Sequence, residues 1–375
     1  MNGQGQRLQY LDNLRVVLTA LVIAHHAAQP WVPGDWFVKD QLISIPLALF
    51  AGVNASFFMG AFFLVSGFFH PLALARKGRR GFVLDRLLRL GLPTLVYSLT
   101  VMPLVRYVTH FSLQGREPIG LVAALPMYFW DGFSFGHLWF VVMLLLFGLG
   151  YALLGPLFAD SRPVDARAPL AKSEGWHHRL LLCLALVLGA ATFAVRIFFP
   201  QNTWIHLPWP FALEPAHFPQ YLMLFVLGIM AWRRDYFVVL PAKVARRWAL
   251  YGALLPFLVL APLMREHAFL GSGFTLYGLV AALREAFMCV GACAWLLVLF
   301  RDRFELAGPR LKDAARCAYG AYILQVPPLI FFQWLVMPLG LPVLVKFLLV
   351  CLGAVPASFL LARGLLCLPG VRRVL

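Results

Sequence analysis

The chain has 375 residues, of which 61% are hydrophobic, 15% aromatic and only 13% charged. Soluble domains run at about 45–50% apolar and about 25% charged residues, so this composition excludes a soluble globular protein and defines an integral membrane protein. The net charge of +16 invites a nucleic-acid reading, which the placement of the charges excludes, because they collect between apolar segments on alternate sides.

A spanning helix needs about 20 apolar residues. Segments of that kind recur at 11–32, 41–69, 88–111, 137–158, 180–199, 218–233, 246–264, 277–300, 317–338 and 342–366. The segment 41–69 is interrupted around Gly52–Asn54, and the Pro- and aromatic-rich 118–131 reads as an interfacial or re-entrant piece. Alternating ten-residue strands are absent, which argues against a barrel. The expected fold class is therefore all-α: a polytopic membrane protein of about ten transmembrane helices in one bundle with short connections, a single membrane-embedded domain over residues 1–375. With the N-terminus in the cytoplasm, the inner segments hold 24 Lys and Arg residues, whereas the outer loops hold Lys39, Arg116 and Arg265. This positive-inside asymmetry puts both termini in the cytoplasm. The longest polar stretch, Asp160 to Arg179, becomes an inner loop.

The first segment carries an unusual stripe. Ionisable groups in hydrocarbon are costly and tend to line a site or pathway. At about 100° per residue, Arg15 and His26 lie within roughly 20° on one helix face and about 16 Å apart along the axis, while His25 falls about 80° from Arg15. Asp12 sits on the same face, close enough to orient Arg15. A cleavable signal peptide is the decoy reading, disfavoured because Asp12 and Arg15 interrupt its apolar run. In the bland alternative, Arg15 snorkels to the headgroups and the histidines cap the outer end.

Further along, Phe62 to Phe69 places Ser66-Gly67 at the inner end of the second span. The basic run Arg76, Lys77, Arg79 and Arg80 follows, for which the positive-inside rule is the favoured account. Arg86 and Arg89, three apart, share a helix surface, and two guanidiniums there can clamp phosphates bidentately. His137 and Trp139 open the fourth span at its outer end, where an interfacial histidine in an aromatic belt is the competing reading. Arg284 and Glu285 point about 100° apart on their helix, so each needs a partner on another span, for ion pairing or to line a site. Trp31, Trp36, Trp130, Trp139, Trp204, Trp209 and Trp334 collect at the outer face, as an aromatic belt or as stacking surfaces for sugar rings. Tyr319, Tyr322 and Gln325 bring hydrogen-bonding groups into the ninth span. All six cysteines lie in or beside spans, so no disulfide is expected, and Cys289 and Cys293 read as packing rather than metal ligands.

In order, these segments resemble the acyltransferase-3 family of multi-pass membrane acyltransferases. The resemblance rests on Tyr10-Leu11-Asp12-Asn13-Leu14-Arg15 with the ten-residue spacing to His26; on Phe63-Leu64-Val65-Ser66-Gly67-Phe68; on Arg86-Leu87-Leu88-Arg89; on His137-Leu138-Trp139-Phe140; and on Tyr319-Gly320-Ala321-Tyr322. The stretch from Phe218-Pro219-Gln220-Tyr221 to Gly228 is similar to the branch with glucan-modifying succinyltransferase-like members. The resemblance implies transfer of an acetyl, succinyl or similar group from cytoplasmic acyl-coenzyme A to a hydroxyl of an extracytoplasmic carbohydrate or lipid-linked glycan, in a bacterial cytoplasmic (inner) membrane. It also implies that Arg15, His26, Arg86 and Arg89 matter for activity; joined to the residue reading above, the expected catalytic set is His26, Arg15 and Asp12, the donor-binding set Arg86, Arg89, Ser66 and Arg15, and the substrate-binding set His137, Trp139, Glu285, Tyr319 and Tyr322. No tightly bound cofactor, no metal and no nucleic acid are expected; the partners are acyl-coenzyme A, the acceptor, the bilayer and, left open, a second copy of the chain. Two departures limit the transfer: Gln325 stands where many members carry histidine, and the extracytoplasmic hydrolase-like domain of some relatives is not in this sequence, so the membrane domain or a separate partner must reach the acceptor. The competing class is a proton-coupled transporter of an anionic or acylated solute, with the same buried charges as its pathway; a lipid-binding or scaffolding protein would leave the stripe unexplained.

Overall fold

In hydrocarbon the backbone must satisfy its own N–H and C=O groups, which leaves the helix as the form available to each apolar segment. The computed structural model describes residues 8–113, 120–126, 128, 135–155, 173–201, 203–206, 212–263, 273–305 and 308–374. Its helices, in chain order, are α1 (Gln9–Ala27), α2 (Ile45–Ala55), α3 (Phe58–Arg86), α4 (Leu92–Tyr107), α5 (Leu121–Pro126), α6 (Trp139–Leu154), α7 (Glu174–Phe198), α8 (Phe218–Arg233), α9 (Tyr236–Val239), α10 (Ala242–Leu263), α11 (Leu276–Arg303), α12 (Pro309–Leu324), α13 (Val326–Val336) and α14 (Val343–Leu365). A two-residue antiparallel ribbon pairs β1 (Ile205–His206) with β2 (Ala212–Leu213).

Every one of the ten expected segments contains helix. By length and apolar character, five helical stretches among the described residues can cross a membrane: 45–110, 136–154, 174–198, 276–303 and 343–365, with α12 and α13 together adding a sixth. The expected second span divides. Its break falls at Ser56 and Phe57, a little beyond Gly52–Asn54, and α3 then runs on through the basic stretch, kinked at Gly78, whose φ of +65° is open to glycine. The expected ninth span is also not one helix: α12 and α13 meet at a 69° bend. Of the piece 118–131, only α5 and Tyr128 fall within the described residues, and Trp130, Trp209 and most of Asp160–Arg179 fall outside them.

Capping fixes two of the helix starts. Ser173 accepts from the Trp176 N–H at 3.3 Å to begin α7, and Thr275 accepts from the Gly278 N–H at 3.0 Å to begin α11. The main core joins α1, α3, α6, α8, α11 and α12. A second apolar cluster packs the C-terminal end of α1 with α2, α13 and α14, and a third joins α7, α10 and α11. The tightest crossing is α3 on α8: a Cβ on Gly67 would strike the Phe225 carbonyl, and one on Gly228 the Leu64 carbonyl. Small residues allow such close backbone approach where helices cannot rely on the hydrophobic effect to associate. Gly67 is therefore a packing residue of the fold.

Candidate active site

The site is assembled along α1. At its start, Asp12 Oδ1 lies 3.7 Å from Arg15 Nη1, and the Asn13 amide donates to the Phe304 carbonyl at 2.7 Å, docking α1 against the end of α11. The i,i+3 spacing read from the sequence thus makes the expected ion pair.

A cluster of cations gathers beside it. Asp85 meets Lys77 Nζ at 2.5 Å, Arg89 Nε at 3.0 Å and Arg86 Nη2 at 3.5 Å. The Arg86 guanidinium sits over the Phe82 ring, 5.0 Å from its centroid, within electrostatic range of Arg89, Arg15 and the Tyr319 phenol. Four cations against the two carboxylates Asp12 and Asp85 leave this end positive. Arg86 and Arg89 are gathered by one carboxylate, which the sequence reading had not assigned a role. Their joint placement fits a polyanion; their mutual repulsion explains why Asp85 stands between them.

His70 was missed. It lies one turn beyond Ser66, directly after the Phe62–Phe69 run, and its Nδ1–H donates to the Ser66 carbonyl at 2.6 Å. Its Nε2 is buried without a hydrogen bond, and a Cβ on Gly148 would touch both that atom and the Arg86 side chain. The His70 ring thus lies on the Ser66 carbonyl and within electrostatic range of Arg86. The signal was available as a histidine four residues from Ser66 on the same helix face.

The other end of the stripe depends on the broken helix. Pro327 and Pro328 lack the N–H groups that would continue α12, so the carbonyls one turn back lose their intrahelical donors. Two side chains take carbonyls at this break. His137 Nε2–H donates to the Ile323 carbonyl at 2.9 Å, and Gln325 Nε2 donates to the Tyr322 carbonyl at 2.9 Å. The second bond fixes the amide of the fully buried Gln325 so that Oε1 faces His26 Nδ1 at 3.0 Å. An amide oxygen only accepts, so His26 carries its proton on Nδ1 and presents Nε2 as a lone pair. Gln325 orients the imidazole of His26.

His26 is held from its other side as well. Trp36 stacks on it with ring centroids 5.1 Å apart, the Trp36 indole N–H donates to Gln333 Oε1 at 2.8 Å, and Gln333 Nε2 donates to the His26 carbonyl at 2.9 Å. This closed loop of contacts clamps ring and backbone together. The strap bearing Trp36 is pinned in turn by Trp31 to Asp40 at 2.9 Å and Lys39 to the Gln29 carbonyl at 3.0 Å. Burial raises the Asp40 carboxyl, but the Leu42 N–H, the Trp31 indole and the Lys346 charge outweigh it and hold the group below its usual value. Trp31 and Trp36 thus belong to the site's wall rather than to an aromatic belt. His25 instead faces Gln29 and Phe58.

His137 joins this centre. It is buried, lies within electrostatic range of His26, stands 5.2 Å from the Tyr97 ring and 5.8 Å from that of Tyr322, and keeps Nδ1 without a hydrogen bond. Tyr322 donates its hydroxyl to the His137 carbonyl. Tyr319 departs from expectation. Its hydroxyl donates to the Arg89 carbonyl at 2.6 Å, whereas that of Tyr322 reaches the His137 carbonyl, so two side chains one turn apart on α12 contact the two ends. Trp139 packs against Tyr221 with ring centroids 5.2 Å apart and planes tilted by 31°, away from His26's own contacts.

Glu285 takes the ion-pairing alternative. Oε2 accepts from Arg196 Nη2 at 2.7 Å and from Gln201 at 3.3 Å, and Oε1 faces His217 Nε2 at 3.3 Å. Both oxygens are occupied, and Arg196 is fully buried, so this carboxylate serves a helix-to-helix connection instead of the expected substrate contact. Arg196 and His217 were absent from the expected set because nothing in the sequence ties α7 to α11.

The comparisons with known proteins agree with this framework. A family model described as an acyltransferase domain, that of the acyltransferase-3 family, matches residues 8–363. The chain belongs to that family of membrane acyltransferases. It is similar to the glucans biosynthesis protein C of Escherichia coli strains K12 and SMS-3-5, 27% identical in each over 145 residues, 38% of this chain and 37% of the relative. The aligned part therefore spans little more than a third of those relatives.

Proposed function

We propose that this protein is an O-acyltransferase that moves an acetyl, succinyl or similar group from cytoplasmic acyl-coenzyme A to a hydroxyl of an extracytoplasmic glycan or lipid-linked sugar. The observation that carries this reading is the tautomer of His26: Gln325 holds its Nδ1–H and leaves Nε2 basic, three turns along α1 from a cluster of four cations. The phosphates of the donor bind Arg86, Arg89 and Arg15, with Asp12 orienting Arg15 and Asp85 spacing the other two. The acyl-pantetheine arm then runs along α1 toward His26.

In the transfer step, His26 Nε2 takes the acceptor hydroxyl proton as that oxygen bonds to the thioester carbonyl carbon. The tetrahedral intermediate collapses, the C–S bond breaks, and the thiolate leaves with the proton returned from the imidazolium. General base catalysis of this kind typically contributes about 10²- to 10⁴-fold. Buried hydrogen-bond donors near the developing oxyanion, such as Tyr97 with its unpartnered hydroxyl, suit the tetrahedral intermediate. The ten-span single domain, the cytoplasmic termini and the bacterial inner-membrane location complete the reading, since a polyanionic donor then meets the basic face.

The test is thioester turnover by the purified protein in detergent. Saturable release of coenzyme A that requires His26 and Arg89 supports the enzyme. Solute flux in proteoliposomes without thioester turnover would establish the transporter instead. A mass change on surface glycans after gene deletion then identifies the acyl group.

A further inference from the structure

At the ends of α10 and α11 a cavity of about 570 Å³ opens between the two helices. Its floor is apolar and its rim is cationic. Trp295, Val298 and Leu299 come from one face of α11, with Phe304 just beyond, while Ala242 and Arg246 come from α10 and Arg303 from the end of α11. One acid, Asp302, also lines it, but its charge is already answered: both carboxylate oxygens face Arg301, at 2.7 and 3.3 Å. Arg301 is further anchored to the carbonyls of Phe237, Val238 and Leu240, at 3.0, 2.9 and 2.9 Å, and so is not available to a ligand. Arg246 and Arg303 are different. Among the described residues no hydrogen bond or ion pair engages either of them.

The apolar track continues beyond the cavity. Leu250 and Leu254, one and two turns from Arg246 on α10, are each 53% exposed. A headgroup-sized space with two unanswered guanidiniums, opening onto exposed leucines along α10, has the chemistry of an amphiphile's site. Basic pockets between membrane helices recognise anionic headgroups in this manner, and guanidinium suits phosphate bidentately.

We propose that this groove binds one anionic phospholipid, its phosphate between Arg246 and Arg303, its glycerol region over Trp295 and Phe304, and an acyl chain along Leu250 and Leu254. The site is independent of the acyl-transfer reading. Its placement gives it a structural consequence: Phe304, at its edge, receives the Asn13 amide of α1, so an occupied groove steadies the end of the helix that carries Arg15 and His26.

Native mass spectrometry of the full-length protein in detergent tests the proposal, with palmitoyl-oleoyl phosphatidylglycerol and the matched phosphatidylcholine as probes. One saturable phosphatidylglycerol adduct is expected, at least tenfold tighter than the phosphatidylcholine one. Arg246→Ala with Arg303→Ala should weaken it at least tenfold, and Ala242→Trp, which fills the groove but keeps the charges, should do the same, whereas Arg246→Lys with Arg303→Lys should retain most of it. Equal binding of the two lipids, or binding indifferent to both the alanine pair and Ala242→Trp, overturns the proposal. Displacement of the lipid by inorganic phosphate alone, or by coenzyme A in a manner requiring Arg246 and Arg303, also overturns it, the first in favour of a simple anion site and the second in favour of a nucleotide site.

Discussion

Two buried polar clusters share this bundle, and they differ in what they leave unused. Around Glu285, both carboxylate oxygens are engaged by Arg196, Gln201 and His217, and what is left over is donors, Nε and Nη1 of Arg196, with no base to spare. Around His26, the hydrogen bonds stop short: Nδ1 is held by Gln325, the backbone carbonyl by Gln333, and Nε2 remains a free base, while His137 keeps an unpartnered Nδ1. A carboxylate whose capacity is spent holds helices together; an imidazole whose orientation is fixed but whose lone pair is spare can do chemistry. Polar groups of similar type in the membrane are thus separated by their unmet capacity, a distinction burial alone does not make.

The comparison breaks most directly at His26. His26→Ala should lower thioester turnover by about 10²- to 10⁴-fold with little change in the detergent melting curve, whereas His25→Ala should change turnover far less; the opposite pattern would reassign the base. For the other cluster the expected loss is in stability. Glu285→Leu leaves a buried guanidinium uncompensated, at a cost of about 3–5 kcal/mol, and adding Arg196→Leu should recover much of it in thermal melts. If Glu285→Leu instead removed turnover without moving the melt, the cluster would belong to the active site.

Smaller effects sharpen the same contrast. Gln325→Leu frees the His26 ring and should reduce kcat about tenfold, in line with about 1–3 kcal/mol for a lost buried hydrogen bond, with a changed pH profile that a merely structural loss would not produce. Arg89→Ala should raise the KM for acyl-coenzyme A more than it lowers kcat, as expected of binding common to ground and transition states. The smallest effect belongs to Asp40. Its folded value lies below the ordinary carboxylate one, so its stabilisation of the strap is fully present above that ordinary value and is lost as pH falls through the folded one. Wild type should therefore melt slightly above Asp40→Asn at neutral pH, and the two curves should converge in acid.

Much of the site was legible in the sequence for reasons of local geometry. The Arg15 to His26 stripe follows from helical phase, the Asp12–Arg15 pair from i,i+3 spacing, and the nearness of Arg86 and Arg89 from the same rule. Glu285 was recognised as needing a partner on another span, but the identity of Arg196 was not, because that choice depends on which helices pack side by side. Tyr319 and Tyr322 were read together from their spacing on one helix, but which group each hydroxyl meets, the Arg89 carbonyl for one and the His137 carbonyl for the other, depends on the helices packed against α12.

The sequence by itself determined the membrane class, where helix would form but not where two of the expected spans break, and the single face that joins arginine to histidine, because composition and the 3.6-residue period act locally. Only the tertiary structure decided which histidine nitrogen is free. That decision required the proline break of α12 to release the Ile323 carbonyl to His137, and the amide of Gln325 to be fixed on the neighbouring Tyr322 carbonyl with its oxygen turned toward α1. A tautomer is set by what its neighbours can donate or accept, and those neighbours lie about 300 residues away along the chain.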